Sequence, residues 1–226
     1  WIGTFGGGFS RLDPATDSFT HYKKIEGEDN SISDSRVTSI VEYPEGTLWI
    51  GTDDGVNKFD KKTGTFKRFL SRGGTGGNQK ILNRISFINI LSDNLWMISD
   101  SGLTSLNTRS EEIKFYTSTP FGENIPLHGT LGISKENNAL LVSCNAGLVK
   151  IDFDSRSSSI VTGTELHNNN TVSLNHLFAY SDRGNNYWIS TDKGLLLVDK
   201  QTGISKLYES NSTNLNGITH NNIISI

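Results

Sequence analysis

Apolar and polar positions alternate along this chain in short bursts, and the bursts return in a fixed order. In the clearest stretch, Val37-Thr38-Ser39-Ile40-Val41-Glu42 is a β-branched run and predicts a strand. Pro44-Glu45-Gly46 is a turn signal, and Leu48-Trp49-Ile50-Gly51-Thr52 reads as a second strand. Asp53-Asp54-Gly55 closes a hairpin where glycine takes a positive φ. Val56-Asn57-Lys58-Phe59-Asp60 alternates as a half-buried third strand does. After Lys61-Lys62-Thr63-Gly64, Thr65-Phe66-Lys67-Arg68-Phe69 forms a fourth, outer strand. Four short antiparallel strands of this kind make one propeller blade.

The same order recurs throughout. Trp1-Ile2-Gly3-Thr4 precedes Gly8-Phe9-Ser10-Arg11-Leu12-Asp13, and Leu95-Trp96-Met97-Ile98-Ser99 precedes Gly102-Leu103. Leu140-Leu141-Val142-Ser143-Cys144 precedes Gly147-Leu148, and Trp188-Ile189-Ser190-Thr191 precedes Gly194-Leu195. The turn glycines Gly8, Gly55, Gly102, Gly147 and Gly194 are spaced by 47, 47, 45 and 47 residues. Trp1, Trp49, Trp96 and Trp188 occupy one repeat position, and Leu141 fills the remaining copy. A residue that recurs on an inner strand of every blade packs between blades. A period of this size also suits helical repeats. The Gly, Thr, Ser and β-branched content and the lack of a sustained 3.6-residue period exclude them.

The expected fold is therefore all-β: a single β-propeller region over residues 1–226, with about five four-stranded blades. Asn222-Ile223-Ile224-Ser225-Ile226 matches Arg36-Val37-Thr38-Ser39-Ile40, the first strand of a blade. That strand either pairs with the first blade and closes a five-bladed ring, or opens a further blade. There is no initiator Met and no signal peptide, and the favoured expectation is a piece of a longer array.

Composition narrows the functional classes. A net charge of −3 gives no basic stripe for nucleic acid, and no apolar run approaches a membrane span. The lone Cys144 stands where Thr52 stands in its own repeat, so it reads as a small buried residue. Asp13, Asp53, Asp54, Asp60 and Asp199 recur at turns and strand ends, where Asp bonds backbone amides. No calcium-loop spacing appears, and His21, His128, His167, His176 and His220 show no metal spacing. Neither a metal nor a cofactor is expected. Gly73-Gly74-Thr75-Gly76-Gly77-Asn78-Gln79-Lys80 lacks the Gly-Lys-Ser/Thr ending of a phosphate loop and reads as a connection. No nucleophile–base pair can be assigned, so no catalytic residue is expected.

Leu48 to Asp60 with Thr63-Gly64-Thr65-Phe66 closely resembles the two-component regulator propeller repeat. So do Gly6 to Pro14, the linker Asn30 to Ile40, and Leu215 to Ile223. The resemblance covers essentially the whole chain. It is weaker where Ile98 replaces Gly and where Leu141 replaces Trp. Such repeats occur in extracytoplasmic sensor regions of bacterial hybrid two-component systems and of some diguanylate cyclases. The resemblance implies a larger, often seven-bladed array and a periplasmic position on a membrane-anchored protein. It also implies signalling domains downstream and a sensory role, commonly towards oligosaccharides.

Repeated residues build the scaffold, and selectivity belongs where the repeats differ. The variable segments are the connections 23–36, 70–84, 117–129, 162–176 and 209–222. They gather with the Asp-Gly hairpins on one face. Just before each first strand stand Arg36, Arg84, His128, His176 and Asn222, the expected rim of a ligand funnel. Arg36 and Arg84 favour an acidic or hydroxyl-rich ligand through forked hydrogen bonds, whereas Asp53 and Asp192 belong to the repeat and are expected to matter only for stability. Three functions stay open at this point: an oligosaccharide sensor, a protein-interaction or spacer propeller that dimerises or relays a signal, and a propeller lyase or glycosidase.

Overall fold

The computed structural model describes residues 1–69, 84–99, 102–121, 123–162, 179–182, 184–210, 217–221 and 223. All the regular structure in these residues is β, and it falls into two compact units, Trp1–Ile113 and Lys114–Ile226. Of the strand proposed at 222–226 only Ile223 is among the described residues, and the glycine-rich stretch 73–80 lies outside them.

The first unit holds three sheets. They are β1 (Ile2–Thr4), β2 (Gly8–Asp13) and β3 (Ser18–Tyr22); β4 (Val37–Glu42) to β7 (Phe66–Phe69) through β5 (Thr47–Thr52) and β6 (Gly55–Asp60); and β8 (Ile85–Leu91), β9 (Asn94–Ser99), β10 (Gly102–Asn107) and β11 (Ile113–Tyr116), whose last residues cross the unit boundary. The second unit holds β12 (Gly132–Glu136), β13 (Ala139–Cys144), β14 (Gly147–Asp152) and β15 (Ser157–Thr162). Its other sheet is β16 (Ala179–Ser181), β17 (Asn186–Thr191), β18 (Gly194–Asp199) and β19 (Ser205–Tyr208). Each sheet is an antiparallel meander in chain order. The first has three strands, which leaves β1 as an exposed edge.

The repeat carries its own local chemistry. In every sheet a hydroxyl or thiol ends the strand before the turn glycine and donates to that glycine's carbonyl. The distances are 2.8 Å for Thr4 to Gly8, 3.0 Å for Thr52 to Gly55 and 3.1 Å for Ser99 to Gly102. They are 3.6 Å for Cys144 to Gly147 and 2.9 Å for Thr191 to Gly194. Cys144 is thus a buried stand-in for a turn hydroxyl, and burial pushes its thiol pKa up. The turn glycines are needed for two reasons at once. Gly8 and Gly194 have φ of 76° and 133°. A Cβ on them would also meet the carbonyl oxygens of Tyr22 and Tyr208 at 2.0 and 2.2 Å.

At the other end of the third strand a side-chain oxygen folds the next turn by accepting two backbone N–H groups. Asp60 takes them from Lys62 and Thr63 at 2.7 and 2.9 Å, and Asp199 from Gln201 and Thr202 at 3.0 and 2.7 Å. Asp152 does the same, and Asn107 does it without a charge. The backbone donors hold the carboxyls of Asp60, Asp152 and Asp199 below the usual carboxylate range.

Neighbouring sheets meet through the Trp position. Trp49 is 0% exposed and packs with Ile85, Ile88, Leu95, Met97 and Leu106 of the following sheet. Its indole N–H donates to the Tyr43 carbonyl at 2.7 Å. Leu141 holds the same place in the second unit, among Ala179, Tyr187 and Ile189. In the first unit Gly3 and Gly51, two residues after Trp1 and Trp49, open room for the following sheet. A Cβ on Gly3 would stand 2.6 Å from Val37, and one on Gly51 would stand 3.0 Å from Ile85. The four tryptophans are not equivalent. Trp96 is 3% exposed, Trp188 is half-buried against Tyr208, and Trp1 is 38% exposed. Trp1 still reaches Phe9, Tyr22 and Phe59, with ring centres 5.6, 5.9 and 5.8 Å away. Its exposure follows from its position on the open edge of the first sheet.

Candidate functional site

The connection from β3 to β4 is pinned from inside. Ile32 is fully buried, and Ser33 is held by Asn57 and Thr52: its N–H donates to Asn57 Oδ1 at 2.9 Å, and its hydroxyl meets Thr52 Oγ1 at 3.0 Å. Asn57, itself buried, returns a hydrogen bond to Ser33 Oγ at 2.9 Å and reaches the Ile50 carbonyl at 3.3 Å. Arg68 of the outer strand reaches back across the loop to the Ser31 carbonyl and hydroxyl, both at 2.9 Å. Buried polar groups satisfied this fully make a rigid floor.

Above that floor lies a cleft of about 400 Å³, lined by six carboxylates and three cations, among them Asp34, Arg36, Asp53, Asp54 and Arg68. Arg36 and Arg84 meet at one carboxylate. Arg36 Nε is 3.1 Å from Asp53 Oδ2, and Arg84 Nε is 3.5 Å from Asp53 Oδ1. Arg36 also touches Asp34 at 3.4 Å. Asp53 is only 16% exposed, whereas the two arginines are about half exposed.

This differs from the expectation that Asp53 serves only the repeat. Its backbone N–H does close the turn, donating to the Arg36 carbonyl at 3.2 Å. Its carboxylate instead pairs with both rim arginines, and together with Asp34 beside Arg36 it balances their two charges. His128 occupies the matching place in the second unit, where its carbonyl accepts from Asn145 N at 3.0 Å and its side chain is exposed. His176 and Asn222 lie outside the described residues. The geometry thus joins Arg36 and Arg84 in one unit and places His128 in the other.

Phe5 was not among the sequence candidates. It sits in the turn between β1 and β2, bridges to Arg36 through the backbone, and is 78% exposed. Gly6 and Gly8 donate to the Ser35 carbonyl at 3.1 and 2.8 Å and fix that turn against the linker. The Arg36 guanidinium carbon stands 6.0 Å from the centre of the Phe5 ring. A signal was present in the sequence: the corresponding turn position holds Asp53, Asp100, Asn145 and Asp192 in the other copies, so Phe5 breaks a polar series.

The model of the two-component regulator propeller family matches residues 31–54. This segment is similar to one repeat of that family. It contains the pinned linker, the first two strands of the second sheet, and both Arg36 and Asp53. No curated protein sequence matches the chain. Among solved structures, the extracellular domain of the putative hybrid two component system BT3049 from B. thetaiotaomicron is similar, with a TM-score of 0.74 at 17% identity. The match covers 99% of this chain and 28% of that one. The extracellular domain of the putative hybrid two component system BT4673 from the same organism matches with a TM-score of 0.64 at 22% identity, over 97% of this chain and 28% of that one. BamB from Moraxella catarrhalis matches at 0.54 and 14% identity, over 94% and 65%. The shared fold is the β-propeller. The chain spans about 28% of the length of the two hybrid-system domains.

Proposed function

We propose that this chain is part of the extracytoplasmic sensor propeller of a bacterial hybrid two-component system, and that it binds an oligosaccharide on its loop face. The observation that supports this most directly is the cleft beside Arg36 and Asp53. It stands on a fully hydrogen-bonded floor, it is lined by forked donors and carboxylate acceptors, and the exposed Phe5 ring lies beside Arg36, one of its lining residues. Sugars present alternating hydroxyls and apolar ring faces, and such a mixed surface suits both. The likeness to extracellular domains of hybrid systems supports the sensory setting and the extracytoplasmic position. The role is recognition, not catalysis, with signalling domains elsewhere in the parent protein as the partners of the bound state.

Isothermal titration of the 226-residue chain with a panel of plant and host hexasaccharides tests the reading. Saturable binding that is weakened at least several-fold in Arg84→Ala, with an unchanged melting temperature, is the expected result. Heat signals indistinguishable from dilution across the whole panel would refute it and favour an interaction platform.

A further inference from the structure

We propose that the cleft selects uncharged saccharides over uronate-bearing or sulfated ones, with Phe5 as the platform for a sugar ring and Asp53 as the residue that sets the charge preference. The proposal rests on the saccharide reading above and states which class of saccharide this site accepts.

The first argument is charge. An anionic sugar needs a free guanidinium or ammonium to replace its lost hydration. Here Arg36 is engaged by Asp53 at 3.1 Å and by Asp34 at 3.4 Å, and Arg84 shares Asp53. Arg68 is turned inward to backbone carbonyls of the linker and to Asp29. Lys24 pairs with Glu26 at 3.5 Å. Each cation of the lining therefore has a carboxylate beside it, and carboxylates outnumber cations two to one. A uronate or sulfate entering the cleft would displace an internal carboxylate and face the remaining ones at short range, where like charges repel. A hydroxyl meets no such penalty. It can accept from the guanidinium N–H groups that Asp53 leaves exposed and donate to a carboxylate oxygen.

The second argument is shape. Phe5 replaces the polar residue found at this turn position elsewhere in the chain, and its turn is one residue longer than the Asp53-Asp54 turn. Backbone hydrogen bonds from Gly6 and Gly8 to Ser35 fix the turn rather than leaving it loose. The ring is thereby presented to solvent beside Arg36, which itself lines the cleft. A fixed aromatic face beside hydrogen-bonding groups accepts the apolar face of an uncharged ring at little ordering cost.

The test compares neutral hexasaccharides (xylo-, manno- and malto-hexaose) with a galacturonate hexamer and a heparin hexasaccharide. Titrations use the wild-type chain, Phe5→Ala and Asp53→Asn, with circular dichroism showing that each variant is folded. The wild type should bind a neutral hexamer at least about ten-fold more tightly than either anion, a separation equivalent to one carboxylate contact refused. Phe5→Ala should weaken the neutral ligand about ten-fold. Asp53→Asn should narrow the gap by improving anion binding, because it releases Arg36 and Arg84. Tighter binding of the anions by the wild type overturns the proposal while leaving the saccharide reading intact, as does neutral binding unaffected by Phe5→Ala. Binding of none of the five sugars overturns the saccharide reading and this proposal with it.

Discussion

The tryptophan position offers a graded test of the packing. Trp49 has no exposed surface, fills the space between its own sheet and the next, and spends its indole N–H on the Tyr43 carbonyl. A tryptophan side chain buries roughly 200–250 Å². At about 25 cal/mol per Å² this corresponds to about 5–6 kcal/mol, part of which alanine retains. Trp49→Ala should therefore cost about 3–5 kcal/mol, including the cavity left behind. Trp49→Phe keeps most of the ring and leaves the Tyr43 carbonyl unpaired, at about 1–3 kcal/mol. Trp188→Ala, from a half-buried site where the indole donates to Asp182 at 3.1 Å, should cost less than Trp49→Ala. Trp1→Ala, from the open edge, should cost least. Urea unfolding followed by far-ultraviolet circular dichroism measures all four without relying on tryptophan emission. Equal losses at Trp1 and Trp49, or a loss below about 1 kcal/mol at Trp49, would refute the inter-sheet packing described here.

Three further outcomes follow from the same geometry. Gly194→Ala should destabilise by about 2–4 kcal/mol in urea unfolding, because it adds a steric clash with Tyr208 to a positive φ, whereas Gly203→Ala, with open space around it, should lose only about 1–2 kcal/mol. The depressed carboxyls of Asp60, Asp152 and Asp199 contribute stability that is complete above the ordinary carboxylate pKa of about 4 and is lost as pH falls through their lower folded values. Melting temperature should accordingly drop below about pH 4, and Asp60→Asn, which copies the native Asn107 turn, should make that drop shallower. Glu136 binds Lys200 at 2.8 Å, Lys150 at 3.3 Å and the Tyr187 hydroxyl at 3.0 Å, so Glu136→Ala should cost about 1–3 kcal/mol and should become easier to tolerate if Lys200 is also replaced, as a double-mutant cycle would read.

The fold was legible because each repeat writes the same signals at the same offsets. Val37–Glu42, the Asp-Gly hairpin and the Asp60 turn are local patterns, and local patterns survive in a single sequence. The structural match to other propellers agrees with that reading. The site was legible only in part. Arg36 and Arg84 stand out as differences between repeats, but their shared contact with Asp53 depends on two sheets meeting, which no spacing encodes. Asp53 looked like scaffold because Asp192 occupies the same turn position. Phe5 was hidden by the opposite effect: it belongs to no repeated position, and only its departure from the Asp and Asn of the other copies marks it. Arg68 reads as an ordinary outer-strand residue, and only the folded linker shows it tying the floor of the cleft.

The most direct measurement of ligand recognition at this face is a map of backbone amide shifts in the 226-residue chain as a neutral hexasaccharide is added. Phe5, the linker 33–36 and Asp53-Asp54 should shift together and saturate at one dissociation constant, while the outer strands β15 and β19 stay still. Shifts confined to the outer strands, or no saturable shift around Phe5 and Asp53, would contradict the account.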